Sequence, residues 1–284
     1  MKKFKLGEFE RNSAIVFAIS MLANVVTYLY QIVMGNLLSP ADYGTINTLL
    51  SLSIVIGVPS GIISTLVATY TAKYQAVGKP ELIGGFMHKM LRASVLLACV
   101  VFAAGAALSS IIANVLQIEE TRYILATMVV VAFSCVAPVF SCTLQGVKRF
   151  VPYSINGVLN IAIRLLLSIP FVWMGFGIGG NLAAVILAAF ATAAFCFWRA
   201  RDLFFAPKIE QLHLDRTEIR SYFVSTFWFQ LFLLLMANGD VLLIKTFAAD
   251  PAEVGIYSSG SVIGKISLYL ANAIVPVLLP MVAE

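Results

Sequence analysis

The sequence predicts an all-α polytopic membrane protein, on three observations. The 284 residues are 60% hydrophobic and only 12% charged, with a mean hydropathy of +0.93, whereas a soluble globular domain is about a quarter charged. Apolar runs of roughly 20 residues recur, the length that carries a helix across the hydrocarbon core. The Lys and Arg residues gather on alternate loops. Spanning strands would need alternating polarity and a closed barrel, and the long Leu/Ile/Val/Ala runs have no such alternation.

Eight spans follow in order. The first, Ala14–Leu38, comes after a basic start (Met1-Lys2-Lys3-Phe4-Lys5) that resembles a signal peptide. It is longer than a signal-peptide core and ends in Leu38-Ser39-Pro40 with no small-x-small cleavage site, so it reads as a retained span. Tyr43–Tyr70 contains Pro59, and Ala93–Leu116 ends before Glu119 and Glu120. Tyr123–Leu144 contains Pro138, Val151–Trp173 starts after Lys148 and Arg149, and Ile178–Trp198 stops at Arg199. Phe223–Ile244 follows the longest polar stretch, Ala200–Arg220, and Val254–Val282 contains Pro276 and Pro280. Each interior proline removes one ladder hydrogen bond and bends its helix, for packing or for gating.

With the N-terminus inside, fifteen of the nineteen Lys and Arg residues fall on inner segments and only Arg122 on an outer loop. That asymmetry is the positive-inside rule and sets a cytoplasmic N-terminus. It also explains the net charge of +5 without nucleic acid, because the basic residues are topology signals spread over several loops. Cys99, Cys135, Cys142 and Cys196 all lie in apolar runs with no metal-ligand spacing, and read as small buried hydrophobes.

The short acidic turn Pro40-Ala41-Asp42-Tyr43-Gly44 returns as Pro251-Ala252-Glu253-Val254-Gly255. Each follows the first span of its unit, and an even number of crossings separates them, so both should face one side. A parallel repeat of six-helix units is one arrangement used by transporters. Residues 1–200 would then be a first six-helix lobe, 201–220 a cytoplasmic linker and 221–284 the first two helices of a second lobe. Within the linker, Glu210–Arg220 reads as a solvated segment or a short interfacial helix. The repeat places Glu284 opposite Lys73, at the end of span two, so a fragment or truncated product is expected.

Arg164, Asp240 and Lys265 lie inside spans, where a charge is costly unless it faces protein, water or a partner. Lys245, at the end of span seven, is expected to snorkel to the surface. Span five carries Asn156, Asn160, Arg164 and Ser168 every four residues, one helical face. Span eight repeats the pattern with Ser258, Ser261, Lys265, Tyr269 and Asn272, and span one with Ser20, Asn24, Thr27 or Tyr28, and Gln31. Such stripes either bond helix to helix, with Asp240 and Lys265 as a buried ion pair, or line a wet cavity. In the second case Arg164 and Lys265 suit an anion, and a guanidinium matches phosphate oxygens two at a time.

The run Gly35–Gly44, the segment Gln145-Gly146-Val147-Lys148-Arg149-Phe150, the Asn-Arg stripe of span five and the Gly175–Asn181 turn resemble the polysaccharide and oligosaccharide flippases. These Wzx-like polysaccharide biosynthesis membrane proteins share the MATE/MOP flippase superfamily with multidrug exporters. The resemblance implies a MATE-like two-lobed helical bundle around a central cavity, in a bacterial or archaeal plasma membrane. The implied cargo is an undecaprenyl-diphosphate-linked oligosaccharide, with membrane lipids and other polysaccharide-assembly membrane proteins as partners and no cofactor. Under it, Arg164 and Lys265 would contact the headgroup, with Asn156, Asn160, Asn24, Gln31 and Asn272 lining the cavity. Asn36 stands where that family often has Arg.

A MATE-type antiporter of cationic drugs is the nearest rival. Many such proteins use an acid in the first span, which this chain lacks, although Asp240 could couple an ion. A membrane enzyme would need positioned acids, bases or a metal. Glu119 and Glu120 sit together on a turn, and the two histidines, His88 and His213, lie on the inner side.

Overall fold

The computed structural model describes residues 6–78, 81–205 and 216–265, and among them it contains helices and no strand. Helix α1 (Leu6–Leu37) leads into α2 (Pro40–Ile56), α3 (Val58–Ala76), α4 (Glu81–Ala107) and α5 (Ser109–Val115). Then come α6 (Thr121–Val136), α7 (Pro138–Gly146), α8 (Phe150–Phe171), α9 (Gly177–Phe204), α10 (Arg216–Phe247) and α11 (Pro251–Gly264).

Local chemistry explains the breaks. Pro59 opens α3, and α2 and α3 meet at 50°, while Pro138 opens α7 directly after α6. Proline suits the first turn of a helix, where its missing N–H has no partner to lose. Between α7 and α8 the chain turns at Lys148 (φ 62°), and the Arg149 amide donates to the Leu144 carbonyl at 2.8 Å. Gly175 (φ 87°) and Gly177 (φ 46°) reverse the chain between α8 and α9, conformations that glycine adopts without steric cost.

Five helices, or six with the bent α2–α3 pair taken as one, are long and apolar enough to cross a bilayer. One of them is the 55-residue segment Phe150–Phe204, far longer than the roughly 20 residues a crossing needs. It is a hairpin. Arg149 meets Asp202, Asn160 meets Thr192 and Ser168 meets Asn181, pairs that converge on the glycine turn. The segment therefore supplies two of the expected spans. The third expected span begins earlier than its apolar run, since α4 starts at Glu81. Arg216–Arg220 open α10 and form no separate interfacial helix, while residues 206–215 and the part of span eight beyond Lys265 lie outside the described residues.

Helix α2 holds the centre. Tyr43 through Leu49 are all buried, and α2 packs on α6, α9, α10 and α11. One core joins Ile63 and Val67 of α3 with Ile83 and Met87 of α4, Val139 of α7 and Cys196 of α9. A second core joins Tyr30 and Met34 of α1 with Tyr43 and Ile46 of α2 and Ile161 of α8. Cys135, Cys142 and Cys196 are buried free thiols and Cys99 is an exposed one. Outward-facing helix surfaces carry Leu166, Phe190, Met236 and Phe247, all exposed, as lipid-facing positions should be.

The repeated turns are one device used twice. Ser39 Oγ accepts from the Asp42 amide at 3.1 Å, with Pro40 at the helix start. Asp250 accepts from the Ala252 amide at 2.8 Å, with Pro251 at the start. Each is a side-chain cap followed by an acid in the first turn, a favourable charge at the positive end of the helix dipole. The two copies also touch, as expected of turns on one side. A Cβ added to Gly44 would lie 2.7 Å from the Gly255 nitrogen, and one added to Gly255 would lie 2.0 Å from the Pro40 carbonyl oxygen. Only hydrogen fits there, the small-residue contact that lets membrane helices approach backbone to backbone.

Gly255→Ala is expected to lower the thermal midpoint of the detergent-solubilised protein by the equivalent of roughly 1–3 kcal/mol of overpacking. Gly260→Ala, in open space on the same helix, should leave it near the parent value. Equal midpoints for the two variants would contradict the contact.

Candidate functional site

The polar stripe of α8 faces α1 and α9, and its centre is Arg164. One guanidinium nitrogen donates to the Tyr30 hydroxyl at 2.8 Å, and the guanidinium carbon lies 4.0 Å from the Tyr30 ring centroid. Tyr30 is only 1% exposed, so α1 presents a rigid aromatic wall to the cation, a cation–π arrangement strengthened by desolvation. Its hydroxyl also meets the Asn181 side chain, which donates to it at 2.7 Å. The same amide lies 3.3 Å from Ser168 Oγ. Arg164, Tyr30, Asn181 and Ser168 thus form a network across three helices. Arg164 Nε is buried without a partner.

The other expected residues divide between two roles. Asn160 donates to Thr192 Oγ1 at 3.2 Å, a bond between α8 and α9, and Gln31 accepts from the Tyr43 hydroxyl at 3.0 Å, a bond between α1 and α2. Both therefore bind helix to helix. Asn156 Oδ1 is buried without a partner, and Asn24 is half-buried on α1. Asn272 lies outside the described residues, as do Tyr269, Pro276 and Pro280.

Asp240 and Lys265 do not form the ion pair considered from the sequence. The Lys265 ammonium reaches Asn238 Oδ1 at 3.4 Å, while Asp240 Oδ2 accepts from Tyr257 at 3.1 Å and Ser261 at 3.2 Å. Two neighbouring hydroxyls reach the carboxylate first, because Tyr257 and Ser261 share a face of α11 four residues apart. Asp240 Oδ1 is buried without a partner. Lys245 does not snorkel. It is 4% exposed and donates to Thr45 Oγ1 of α2 at 3.2 Å, because α10 packs that face on α2 instead of on lipid.

Neither Arg164 nor Lys265 lines any of three depressions on the surface of the described residues. A basic one of about 490 Å³ lies at the α7–α8 turn and the end of α9, lined by Lys148, Arg149, Arg199 and Arg201. A second, of about 610 Å³, lies under the Gly175–Gly180 turn beside Asp42 and Arg122. The third, of about 280 Å³, opens at the α2–α3 bend and is lined by Ser53, Ser60, Ser134 and Gln230. Irregular backbone at membrane depth is tolerated where it is buried in protein or lines a wet cavity, and this neutral hydroxyl-bearing pocket sits at such a break.

Sequence reasoning missed Tyr30, Asn181, Thr45 and Gln230. Asn181 had a usable signal, an amide inside an Ala/Leu-rich helix. Tyr30 had none, since it lies off the polar stripe of its own helix and only packing turns it toward Arg164.

The sequence profile of a family described as Polysaccharide biosynthesis protein matches residues 9–284. No curated protein matches the chain. Among solved structures, the chain is similar to the inward-facing conformation of a multidrug resistance MATE family transporter of the MOP superfamily (TM-score 0.69, 14% identity, 94% of this chain and 63% of that one). The outward-facing conformation of such a transporter aligns with TM-score 0.64 and 17% identity over 94% of this chain and 61% of that one. A MOP superfamily transporter from Pyrococcus furiosus, described as having a binding pocket of reverse polarity, aligns with TM-score 0.56 and 15% identity over 93% and 64%. The chain thus has the MATE fold and spans under two thirds of the length of these structures.

Tyr30→Phe and Asn181→Ala should each destabilise the protein by roughly 1–3 kcal/mol, the cost of leaving buried polar partners unpaired. Combined, they should cost clearly less than the sum, because both break the same network. Additive losses in thermal denaturation would separate the two residues.

Proposed function

The chain belongs to the polysaccharide biosynthesis protein family, and from that premise we propose that the protein to which it contributes is a flippase. It would move an undecaprenyl-diphosphate-linked oligosaccharide across the membrane by alternating access through a basic central cavity. The observation that carries this reading is the state of the intramembrane cations. Arg164, Lys245 and Lys265 each find a neutral partner: a tyrosine, a threonine and an asparagine amide. Among the described residues, no salt bridge neutralises any of them. A buried cation hydrogen-bonded to a neutral group favours an anionic ligand, most of all at Arg164, since Glu119 acts on Lys245, and a diphosphate is anionic at every accessible pH.

Arg164 would grip phosphate by exchanging the Tyr30 hydroxyl for ligand oxygens, leaving the ring contact to hold its orientation. Lys265 would supply a second charge, and Asn156, Asn160, Asn24, Gln31 and Asn272 hydrogen bonds to sugar or phosphate. The neutral pocket at the α2–α3 bend, with three serines and Gln230, has the chemistry to meet sugar hydroxyls. The repeat divides the chain into a first lobe of residues 1–200, a linker of 201–220 and the start of a second lobe at 221–284. The cytoplasm would lie on the side of Lys148, Arg149, Arg199 and Arg201.

Asp240 supports a second, compatible reading as the ion-coupling group. One oxygen is held by two hydroxyls and the other is buried without a partner, a position from which it could take a proton or a small cation. A MATE-type exporter of organic cations would use the same group. Binding of lipid-linked oligosaccharide set against binding of organic cations separates the two.

Arg164→Ala and Lys265→Ala in the full-length protein should abolish complementation of a flippase-deficient strain while membrane levels stay normal. Full activity in both variants would refute the cavity role. Asp240→Asn should leave oligosaccharide binding intact and remove the dependence of transport on an ion gradient, read in proteoliposomes with and without that gradient. Unchanged gradient dependence would exclude Asp240 as the coupling group.

A further inference from the structure

The basic depression at the α7–α8 turn and the end of α9 holds no residue given a role in binding the transported ligand. Four cations, Lys148, Arg149, Arg199 and Arg201, line it with one acid, Asp202. Arg149 is committed to structure. It forms a two-pronged ion pair with Asp202, with one contact at 3.0 Å, and also donates to the Arg199 carbonyl at 3.0 Å. That pair ties the turn to the end of α9 and engages the only carboxylate among the described residues that line the cup. Arg199 and Arg201 add positive charge to the cup.

Arg199 and Arg201 are exposed and lie 5.8 and 5.7 Å from the ring of Trp198, which precedes both in sequence. Among the described residues neither joins an ion pair. Trp198 is itself 55% exposed, although burial would stabilise an indole if any protein surface covered it. Indole rings favour the level of the lipid headgroups, and the apolar segment Phe150–Phe204 begins and ends here. Toward mid-membrane, exposed apolar residues follow at helical spacing on α9 (Ala194, Phe190 and Leu187), and Val151 and Ile155 are exposed on α8, an apolar track beyond the cup.

A cationic cup on an apolar track fits a ligand with an anionic head and an acyl tail. We infer that this cup is a binding site for the phosphodiester headgroup of an anionic phospholipid, with Arg199 and Arg201 on the phosphate and the acyl chain along Trp198 and Phe190. A soluble phosphate would satisfy the cations and leave the track unused, so the track decides for the lipid. Basic pockets between membrane helices have the charge to select such headgroups.

The test uses Trp198 as its own reporter. Trp173 and Trp228 are replaced by Phe, and the protein is reconstituted in phosphatidylcholine containing a bromine-labelled lipid that quenches indole on contact. Labelled phosphatidylglycerol should quench Trp198 several-fold more than labelled phosphatidylcholine at equal mole fraction. R199Q and R201Q should each reduce that preference, and the double variant should lose it. Circular dichroism and gel filtration of the double variant should match the parent, since both side chains are exposed. Equal quenching by the two lipids in the parent overturns the site. So does loss of the preference on adding millimolar inorganic phosphate at constant ionic strength, which would assign the cup to a soluble anion.

Discussion

Everything in this chain is arranged around a backbone contact that admits no side chain at all. Gly44 and Gly255, the last residues of the two repeated turns, bring α2 and α11 together so closely that a Cβ on Gly255 would lie 2.0 Å from the Pro40 carbonyl oxygen. Lipid tails are as apolar as leucine, so the hydrophobic effect gives membrane helices little reason to associate. Close van der Waals packing between small residues supplies the attraction instead. The caps at Ser39 and Asp250 fix where each helix starts. The glycine therefore arrives at the same height in both copies, and the contact follows from the repeat.

That contact places α2 in the middle of the described bundle, and the polar groups organise themselves about it. Thr45, one residue beyond Gly44, receives the Lys245 ammonium. Tyr43 reaches back to Gln31 on α1. On the other flank of α1, Tyr30 takes Arg164. In each case a long polar side chain spans a helix interface and ends on a neutral group. Neutral partners satisfy hydrogen-bonding capacity without a direct ion pair. A seam built only for stability would gain more from a carboxylate, because removing one partner of a buried pair, and not the pair itself, is what costs most.

The charges outside the bundle follow a different logic. At the α7–α8 turn and the end of α9, Arg149 is paired with Asp202 and serves the fold, while Arg199 and Arg201 lie beside an exposed indole at the surface. Lysines and arginines on membrane loops are usually read as topology signals alone. Here the local geometry separates the structural cation from those free to meet a phosphate.

Composition and run length determined the fold class by themselves. A chain 12% charged cannot cover a water-facing surface, and helices are the way such runs can satisfy their backbone groups in lipid. The repeated Pro-Ala-acid-x-Gly turn carried its own meaning as well, since a cap, a proline and a first-turn acid start a helix through local forces only. The four-residue stripe of α8 likewise fixed that Asn160, Arg164 and Ser168 share a face. What that face meets was decided by tertiary structure. Periodicity gives the direction of a side chain relative to its own helix axis, and the rotation of a neighbouring helix depends on packing summed over many residues. Hence Tyr30, off the visible stripe of α1, became the partner of Arg164, and Asn160 became a strut to Thr192. Lys245, at a helix end where snorkelling is the local expectation, was buried against Thr45 because α10 lies on α2. Asp240 went to Tyr257 and Ser261 in place of Lys265, because the nearest donors in space, and not the opposite charge in sequence, satisfy a carboxylate in an apolar seam.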